Sequence, residues 1–171
     1  TSFKCDSTAV QAILDTNGLN DTPVYSVITR DPGNGRIVEL NLSNRMITTI
    51  PKDIGSLSQL RTLDLRNNSV TTLPEQIGYL QTLSRLYLDN NNLYDLPGEL
   101  GYLDSLTHLA VSHNSLYRIA EQLHYMHITN LDISYNYLTV FPEKNSVFPD
   151  LCILNIDGNR LSVIPKNFTY R

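Results

Sequence analysis

The chain has 171 residues, a hydrophobic fraction of 41% and a formal net charge of −4. This length and composition allow one domain with a sizeable core and exclude a disordered chain. The acidic balance argues against a partner that is a nucleic acid or a membrane surface, and no apolar run is long enough to be inserted across a bilayer. The first five residues contain no apolar stretch of the kind that a signal peptide has.

Residues 1–36 do not follow the pattern of the rest of the chain, and they predict a helix, a strand and a turn. The helical stretch runs to Gly18, with Asp6 or Ser7 as the N-cap. The segment "VYSVITR" alternates like a strand, and "DPGNG" after it is a strong turn signal. We expect an N-terminal cap whose strand pairs antiparallel with the strand that begins at Ile37.

From residue 37 to residue 171, the sequence repeats the pattern Leu-x-x-Leu-x-Leu-x-x-Asn-x-Leu. The intervals between successive units are 23, 23, 23, 22 and 23 residues, and a fixed period in this range predicts a solenoid. The six units begin at Ile37, Leu60, Leu83, Leu106, Ile128 and Leu151.

Each unit begins with a short strand in which apolar and polar residues alternate. In "LDL", Leu63 and Leu65 are expected to face the core and Asp64 to face outward. Such a short strand needs neighbours, so successive units should form a parallel sheet. One asparagine follows each strand from the second unit on, and a buried asparagine can donate to and accept from the backbone of its own turn and the next. We therefore predict a structural ladder of Asn68, Asn91, Asn114, Asn136 and Asn159.

The return half of most units begins with an apolar residue and a proline, followed by apolar residues three positions apart. This spacing suits a short helix or a 3₁₀ turn. The whole pattern resembles the leucine-rich repeat family, both its secreted or surface bacterial members and its scaffold repeats of the type Leu-Pro-x-x-Ile-Gly-x-Leu. The resemblance implies an α/β solenoid, a right-handed superhelix or horseshoe. Short parallel strands would line its concave face, and short helical or 3₁₀ turns its convex face.

The sequence contains none of the common catalytic motifs, such as a glycine-rich phosphate loop or a His-Glu-x-x-His pair. His108 and His113 belong to one unit, but two ligands do not complete a metal site. Cys5 and Cys152 are expected at opposite ends of the solenoid and therefore not in a shared disulfide. The sequence predicts that the chain is not an enzyme and that it has no cofactor and no metal.

The side chains that point outward from the sheet are free of any role in the core, and they mix charged residues with tyrosine and histidine. Tyrosine and arginine dominate many protein interfaces. We predict that a protein ligand binds to this concave face and its edge. The candidate residues are Asp64, Arg66, Arg85, Tyr87, Asp89, His108, His113, Asn130, Asp132 and Tyr135.

Three functions remain open at this point. The first is a protein-protein interaction module of an extracellular or cell-surface bacterial protein. The second is a cytoplasmic signalling scaffold, and the third is a glycan-binding module attached to a larger enzyme or adhesin. A second adhesive surface is an alternative reading of the recurring tyrosines at positions 79, 102 and 125 and at positions 94 and 117, which otherwise shield neighbouring turns.

The sixth unit has no successor in this sequence, so one edge of its strand and of its core is expected to be uncovered. An edge of this kind favours association with another chain. We expect a homodimer through this uncapped C-terminal end. The alternatives are a cover formed by Phe168 and Tyr170 of the tail, or a longer protein of which this chain is a fragment.

Overall fold

The computed structural model describes residues 3–119, 123, 126–141 and 148–162. Within these residues the chain forms one α-helix, α1 (Phe3–Thr16), and a single sheet of seven strands. The strands are β1 (Ile28–Arg30), β2 (Ile37–Asn41), β3 (Thr62–Asp64), β4 (Arg85–Tyr87), β5 (His108–Ala110), β6 (Asn130–Asp132) and β7 (Ile153–Asn155).

The sheet follows the order of the chain from β1 to β7. β1 pairs antiparallel with β2, and every later pair is parallel. The central leucine of each strand lies beside that of the next, as Leu63 lies beside Leu86 and Leu86 beside Leu109. The predicted α/β leucine-rich repeat solenoid is therefore confirmed.

On the opposite side of the core, the chain returns through 3₁₀ helices at Lys52–Ser56, Glu75–Tyr79 and Gly98–Tyr102. A proline with extended backbone stands directly before each of them. Proline suits this place because its fixed φ is compatible with the helix start and its missing N–H would have no helical partner. The convex turns predicted from the sequence are thus confirmed for these three units.

The core is a set of apolar columns that run the length of the solenoid between the sheet and these 3₁₀ helices. Within the described residues, the two columns of the return segment are buried almost completely. They consist of Ile54, Ile77, Leu100 and Leu123, and of Leu57, Leu80, Leu103, Met126 and Phe148. Each residue packs on its equivalent in the next unit, so no unit has a core of its own.

Glycine recurs in the 3₁₀ helices because the next unit approaches it closely. A Cβ atom on Gly55 would lie 2.8 Å from the carbonyl oxygen of Gln76, and one on Gly78 would lie 2.7 Å from that of Glu99. Since both obstacles are backbone atoms, any side chain at these two positions would push neighbouring units apart.

The asparagines after the strands form a ladder of hydrogen bonds that is buried up to Asn136 and partly buried at Asn159. In the third unit, Asn91 Oδ1 accepts from the N–H of Val70 at 2.9 Å, and Asn91 Nδ2 donates to the carbonyl oxygens of Leu65 and Leu88 at 2.9 and 3.0 Å. Asn68, Asn114, Asn136 and Asn159 make the equivalent bonds. Each side chain thereby joins its own turn to that of the preceding unit.

The first unit has Arg45 in the ladder position, and the structure explains why no asparagine is needed there. The strand before β2 is antiparallel, so no equivalent turn precedes this unit. The N–H of Arg45 instead donates to Asn68 Oδ1 at 3.1 Å, which makes the first turn the end of the ladder.

The N-terminal segment differs from the prediction at two points. α1 includes Phe3, Lys4 and Cys5, so neither Asp6 nor Ser7 is its N-cap. The stretch predicted as one strand contains a 3₁₀ helix at Val24–Ser26, and only Ile28–Arg30 is extended. The predicted antiparallel pairing with the strand at Ile37 is confirmed.

Asp6 is not a cap because it is the buried partner of Arg36. Its carboxylate accepts Arg36 Nε at 2.6 Å and Nη2 at 2.8 Å, as well as the N–H of Ile37 at 3.1 Å. The side chain of Asp6 is 1% exposed and that of Arg36 is 11% exposed. The hydrogen bond to Asp6 raises the pKa of Arg36 above its ordinary value. This pair fixes α1 to the first parallel strand.

At the other end of the sheet, Leu151, Leu154, Ile156 and Leu161 are only partly buried. Ile164 of the sixth unit lies outside the described residues, as do Phe168 and Tyr170 of the predicted tail. Pairing of two chains through this end therefore stays a prediction. Among the described residues, no helix has the length and apolar character needed to cross a membrane.

Candidate partner-binding surface

The parallel register places the outward-facing side chains of successive units in rows across the concave face. One row contains the last residue of each strand from β3 to β7, namely Asp64, Tyr87, Ala110, Asp132 and Asn155. A second row contains the first residue of each of these strands, namely Thr62, Arg85, His108, Asn130 and Ile153. The central leucines lie between these rows and face the core. The outward surface of the sheet therefore consists of the two rows side by side.

Three predicted residues form an internally paired cluster on β3, β4 and the turn after β3. Arg66 Nη2 lies 2.5 Å from Asp64 Oδ2, and Arg66 Nε donates to Asp64 Oδ1 at 3.0 Å. The guanidinium carbon also lies 5.0 Å from the ring centroid of Tyr87. The hydrogen bond to Asp64 raises the pKa of Arg66 above its ordinary value. Asp64, predicted to face outward, is only 6% exposed, and the bound Arg66 accounts for this burial.

Further along the sheet, the concave face contains a depression of about 320 Å³. The depression lies over Ala110, because this residue contributes only a methyl group to the row that contains the last residue of each strand. Four predicted site residues meet here, since Tyr87, His108, Asn130 and Asp132 all line the depression. The remaining lining residues are Leu109, Ala110, Leu131, Ile153 and Asn155.

The polar side chains of the depression are held by neighbours on the same face. Asp132 Oδ1 accepts from the N–H and the hydroxyl of Ser134 at 3.0 and 2.6 Å, and Asp132 Oδ2 accepts from Asn155 Nδ2 at 3.2 Å. The hydroxyl of Thr129 donates to Asn130 Oδ1 at 2.9 Å. These bonds orient the carboxylate and the amide before any partner arrives.

At the edge of the concave face, one residue before each ladder position has left-handed backbone. The six residues, with φ between 51° and 66°, are Asn44, Asn67, Asn90, His113, Tyr135 and Gly158. Glycine adopts this conformation freely, and asparagine and histidine are enriched in it, whereas for most other residues it costs about 1–2 kcal/mol. The fifth unit therefore holds a tyrosine against its conformational preference.

His113 and Tyr135 compensate for part of this strain by stacking on each other. Their ring centroids lie 4.3 Å apart, and the rings are tilted by only 9°. A Cβ atom on Gly158 would lie 2.6 Å from Tyr135 Cδ1, so the next unit leaves room for the ring. Tyr135 is nevertheless 54% exposed. The stack is thus a surface feature, and we call it the aromatic edge.

Two predicted site residues lie outside the Asp64–Arg66–Tyr87 cluster, the depression and the aromatic edge. Arg85 is exposed on β4 beside His108. Asp89 is half-buried, and its Oδ1 accepts from the N–H and the hydroxyl of Ser112 at 3.0 and 2.8 Å. Asp89 thereby fixes the turn of the next unit and contributes less free surface than its sequence position suggests.

The competing tyrosine stripe is also exposed in the structure. Tyr79 and Tyr102 are 65% and 63% exposed on the convex side, and Tyr125 lies outside the described residues. Tyr117 packs under Arg118, whose guanidinium carbon is 5.6 Å from its ring centroid. Tyr79, Tyr102 and Tyr117 have ordinary backbone and do not line the depression of the concave face, so they form a weaker candidate site.

In the described parts of the chain, no three histidine, cysteine or acidic side chains are grouped so that they could hold a metal ion. Cys5 on α1 and Cys152 before β7 are both exposed and form no disulfide with each other, in agreement with their expected places at opposite ends of the sheet.

Sequence reasoning missed two features of the surface. Ala110, Ile153 and Asn155 line the depression but were not predicted as site residues. A strand residue such as Ala110 gives no signal in the sequence until its neighbours in the row are known. The left-handed column was also missed. The sequence does contain a sign of this column, because in three units an asparagine stands directly before the ladder position, namely Asn44, Asn67 and Asn90.

The comparisons with known proteins identify the repeat fold of the chain. A family model described as "Leucine-rich repeat region" matches residues 39–155. None of the curated protein sequences matches the chain significantly. Among solved structures, a leucine-rich repeat protein of Leptospira interrogans is 35% identical, with a TM-score of 0.73. That match covers 76% of this chain and 33% of the Leptospira protein, so the chain spans about a third of that protein.

Two plant receptors are similar as well. The ectodomain of the receptor kinase SOBIR1 from Arabidopsis thaliana is 27% identical, with a TM-score of 0.75, and the match covers 94% of this chain and 95% of the ectodomain. The plant peptide hormone receptor RGFR1, solved in complex with RGF2, is 32% identical, with a TM-score of 0.60. Its match covers 66% of this chain and 19% of the receptor.

Proposed function

Since this chain belongs to the leucine-rich repeat family, we propose that it is a non-catalytic interaction module that binds a protein or peptide partner. The binding surface comprises the depression around Ala110 and the aromatic edge formed by His113 and Tyr135. This assignment selects the third to sixth units, because the polar groups of Asp64 and Arg66 in the second unit already satisfy each other.

The observation that carries this proposal is the exposed Tyr135 at a left-handed backbone position. Asparagine would fit this position with less strain, as it does in the first three units. Strained residues cluster at functional sites, where the surrounding structure stabilises them. Tyrosine is also among the residues that contribute most to protein interfaces.

The similar structures support the same function. RGFR1 is a peptide hormone receptor solved with RGF2 bound, and SOBIR1 is the ectodomain of a receptor kinase. We also propose an extracellular or cell-surface location, because SOBIR1 is similar to the chain as a receptor ectodomain. A bacterial source is part of the proposal, because the Leptospira protein is 35% identical to the chain. Protease treatment of intact producing cells should then remove the chain, whereas a cytoplasmic scaffold would be protected.

Glycan binding is the weaker alternative. A sugar ring stacks on a free aromatic face, and several such faces are expected in a glycan site. Tyr135 is stacked on His113 and lies against Gly158, which leaves Tyr87 as the aromatic side chain that lines the depression.

The proposal is tested by selecting binders from a displayed library of random peptides and measuring their dissociation constants. Tyr135→Asn should weaken the selected peptides about 10-fold or more, as expected for an interface tyrosine. The substitution keeps a residue that accepts the left-handed backbone, so the fold is retained and the loss reports on binding.

Tyr79→Ser is the matched control, because Tyr79 is a similarly exposed tyrosine on the convex side. It should leave the dissociation constants unchanged. Selection of peptides that respond to Tyr79→Ser and not to Tyr135→Asn would place the binding surface on the convex side and contradict the proposal. Failure to select any peptide, combined with binding of an immobilised glycan, would favour the alternative.

A further inference from the structure

Two aspartates occupy the same register position on the concave face but have different neighbours. Asp64 and Asp132 each accept, through Oδ1, the N–H of the residue two positions later at 3.0 Å. After Asp64 that residue is Arg66, whose guanidinium binds the carboxylate. After Asp132 it is Ser134, whose hydroxyl donates at 2.6 Å and carries no charge. Within the described residues, the chain therefore supplies a cation at Asp64 and none at Asp132.

The negative charge of Asp132 is not neutralised by the described part of the chain. Within residues 3–119, 123, 126–141 and 148–162, the ion pairs involve other acidic residues, and the polar contacts of Asp132 are with Ser134 and Asn155. A half-buried carboxylate with only neutral partners attracts a cation more strongly than one in bulk water, because the surrounding dielectric constant is lower.

The depression has space for a long side chain directly beside this carboxylate. Ala110 lies between Tyr87 and Asp132 in the row of strand ends. Neighbouring strands are about 4.8 Å apart, so the backbones of Tyr87 and Asp132 are separated by roughly 10 Å. Only the methyl group of Ala110 stands between them, and the space above it is part of the depression of about 320 Å³, which is open to the solvent.

The opposite wall of the depression is an aromatic ring that already contacts a guanidinium in this structure. The guanidinium carbon of Arg66 lies 5.0 Å from the ring centroid of Tyr87, which is within the range of a cation–π interaction. Asp64, Arg66 and Tyr87 thus show, within this molecule, how a carboxylate and a tyrosine on neighbouring strands hold an arginine.

We infer that the depression binds a basic side chain of the partner, and an arginine in preference to a lysine, with its guanidinium between Tyr87 and Asp132. Arginine is favoured because its planar fork can pair with a carboxylate while it lies on an aromatic ring. The inference rests on the proposed function, since it names the chemistry that the concave surface recognises.

The test is an NMR titration of the folded chain with Nα-acetyl-arginine methylamide. Nα-acetyl-citrulline methylamide is the matched probe, because it has nearly the same shape and no charge. The arginine derivative should shift the backbone amide signals of Ala110, Asp132 and Asn155, and the citrulline derivative should leave them in place. Asp132→Asn should weaken the interaction about 10-fold or more, because a charged hydrogen bond is lost.

Two further variants keep the test decisive. Ala110→Leu fills the depression without removing the carboxylate, and it should also abolish the shifts. Asp157→Asn removes an exposed carboxylate outside the lining of the depression, and it should leave the shifts unchanged.

Equal shifts with citrulline, or equal losses for Asp157→Asn and Asp132→Asn, would show that no defined cation site exists, and the inference would be overturned. The absence of any shift would also overturn it. In each of these cases the proposed partner binding stands or fails separately, through the peptide measurements with Tyr135→Asn.

Discussion

Replacement of Asn114 by alanine tests how much the ladder contributes to stability. Asn114 is 7% exposed and makes its bonds in the middle of the array. Its Oδ1 accepts from the N–H of Leu93 at 2.9 Å, and its Nδ2 donates to the carbonyl oxygens of Leu88, Val111 and Ser112 at 3.0 to 3.2 Å. Alanine removes all of these bonds at once.

The expected cost follows from which of these backbone groups keeps another partner. The carbonyl oxygen of Leu88 still accepts from Asn91, and that of Val111 still accepts from Asn136. The N–H of Leu93 has no such second bond and belongs to a fully buried residue. One unsatisfied buried donor costs about 1–3 kcal/mol. We therefore expect Asn114→Ala to destabilise the chain by about 2 kcal/mol.

The assay is urea unfolding followed by circular dichroism. With a slope of about 2 kcal/mol per molar urea, the midpoint should fall by about 1 M. Asn34→Ala is the control, because Asn34 is an exposed residue of the turn before β2 and accepts a single bond, from the N–H of Arg36. Its midpoint should change little. Equal midpoints for the two variants would refute the reasoning.

Replacement of both Asn91 and Asn114 by alanine gives a sharper test of this prediction. The carbonyl oxygen of Leu88 accepts from both Asn91 and Asn114, so it keeps one partner in either single variant and loses both in the double variant. The double replacement should therefore cost more than the sum of the single replacements. Strict additivity would show that the shared carbonyl groups do not couple the rungs.

Three further predictions concern the cap, the convex turns and the aromatic edge. Arg36→Ala should destabilise the chain by about 3–5 kcal/mol, because it leaves the carboxylate of Asp6 buried and unpaired, and thermal unfolding measures this loss. Gly78→Ala should cost about 1–3 kcal/mol in urea unfolding, since its Cβ atom would meet the backbone of the next unit. Tyr135→Asn should change the free energy of unfolding by less than about 1 kcal/mol, because relief of the left-handed strain offsets the loss of stacking.

Each of these predictions has a control within the chain. Arg118→Ala breaks an exposed ion pair with Asp95 and should leave the thermal midpoint nearly unchanged. Gly33→Ala places its Cβ atom near a movable side chain at 3.2 Å, so it should be tolerated better than Gly78→Ala. A large destabilisation by Tyr135→Asn would show that the ring is needed for folding, and it would remove the main support for its role in binding.

The repeat alone was sufficient to predict most of the fold. A period of 23 residues places Leu63, Leu86 and Leu109 in one column, and a side chain that must be buried in every unit leaves few ways to arrange the chain. The turn before β2 and the prolines before the 3₁₀ helices were also readable, because both act through local backbone geometry. The sequence also predicted which face of the sheet is the candidate surface, because the alternation of apolar and polar residues in a strand decides which side chains point outward.

Tertiary structure decided everything that depends on contacts between distant positions. Asp6 and Arg36 are separated by 30 residues, and only the packing of α1 on the sheet makes them partners. From the sequence, Asp64 and Asp132 were both predicted to bind a partner, because they occupy the same position of the repeat. Their surroundings differ, since Asp64 is held by Arg66 two residues later, whereas Asp132 faces an open depression over Ala110 of the neighbouring strand. Repetition determines where side chains point, whereas their neighbours in adjacent units determine whether they are satisfied or available to a partner.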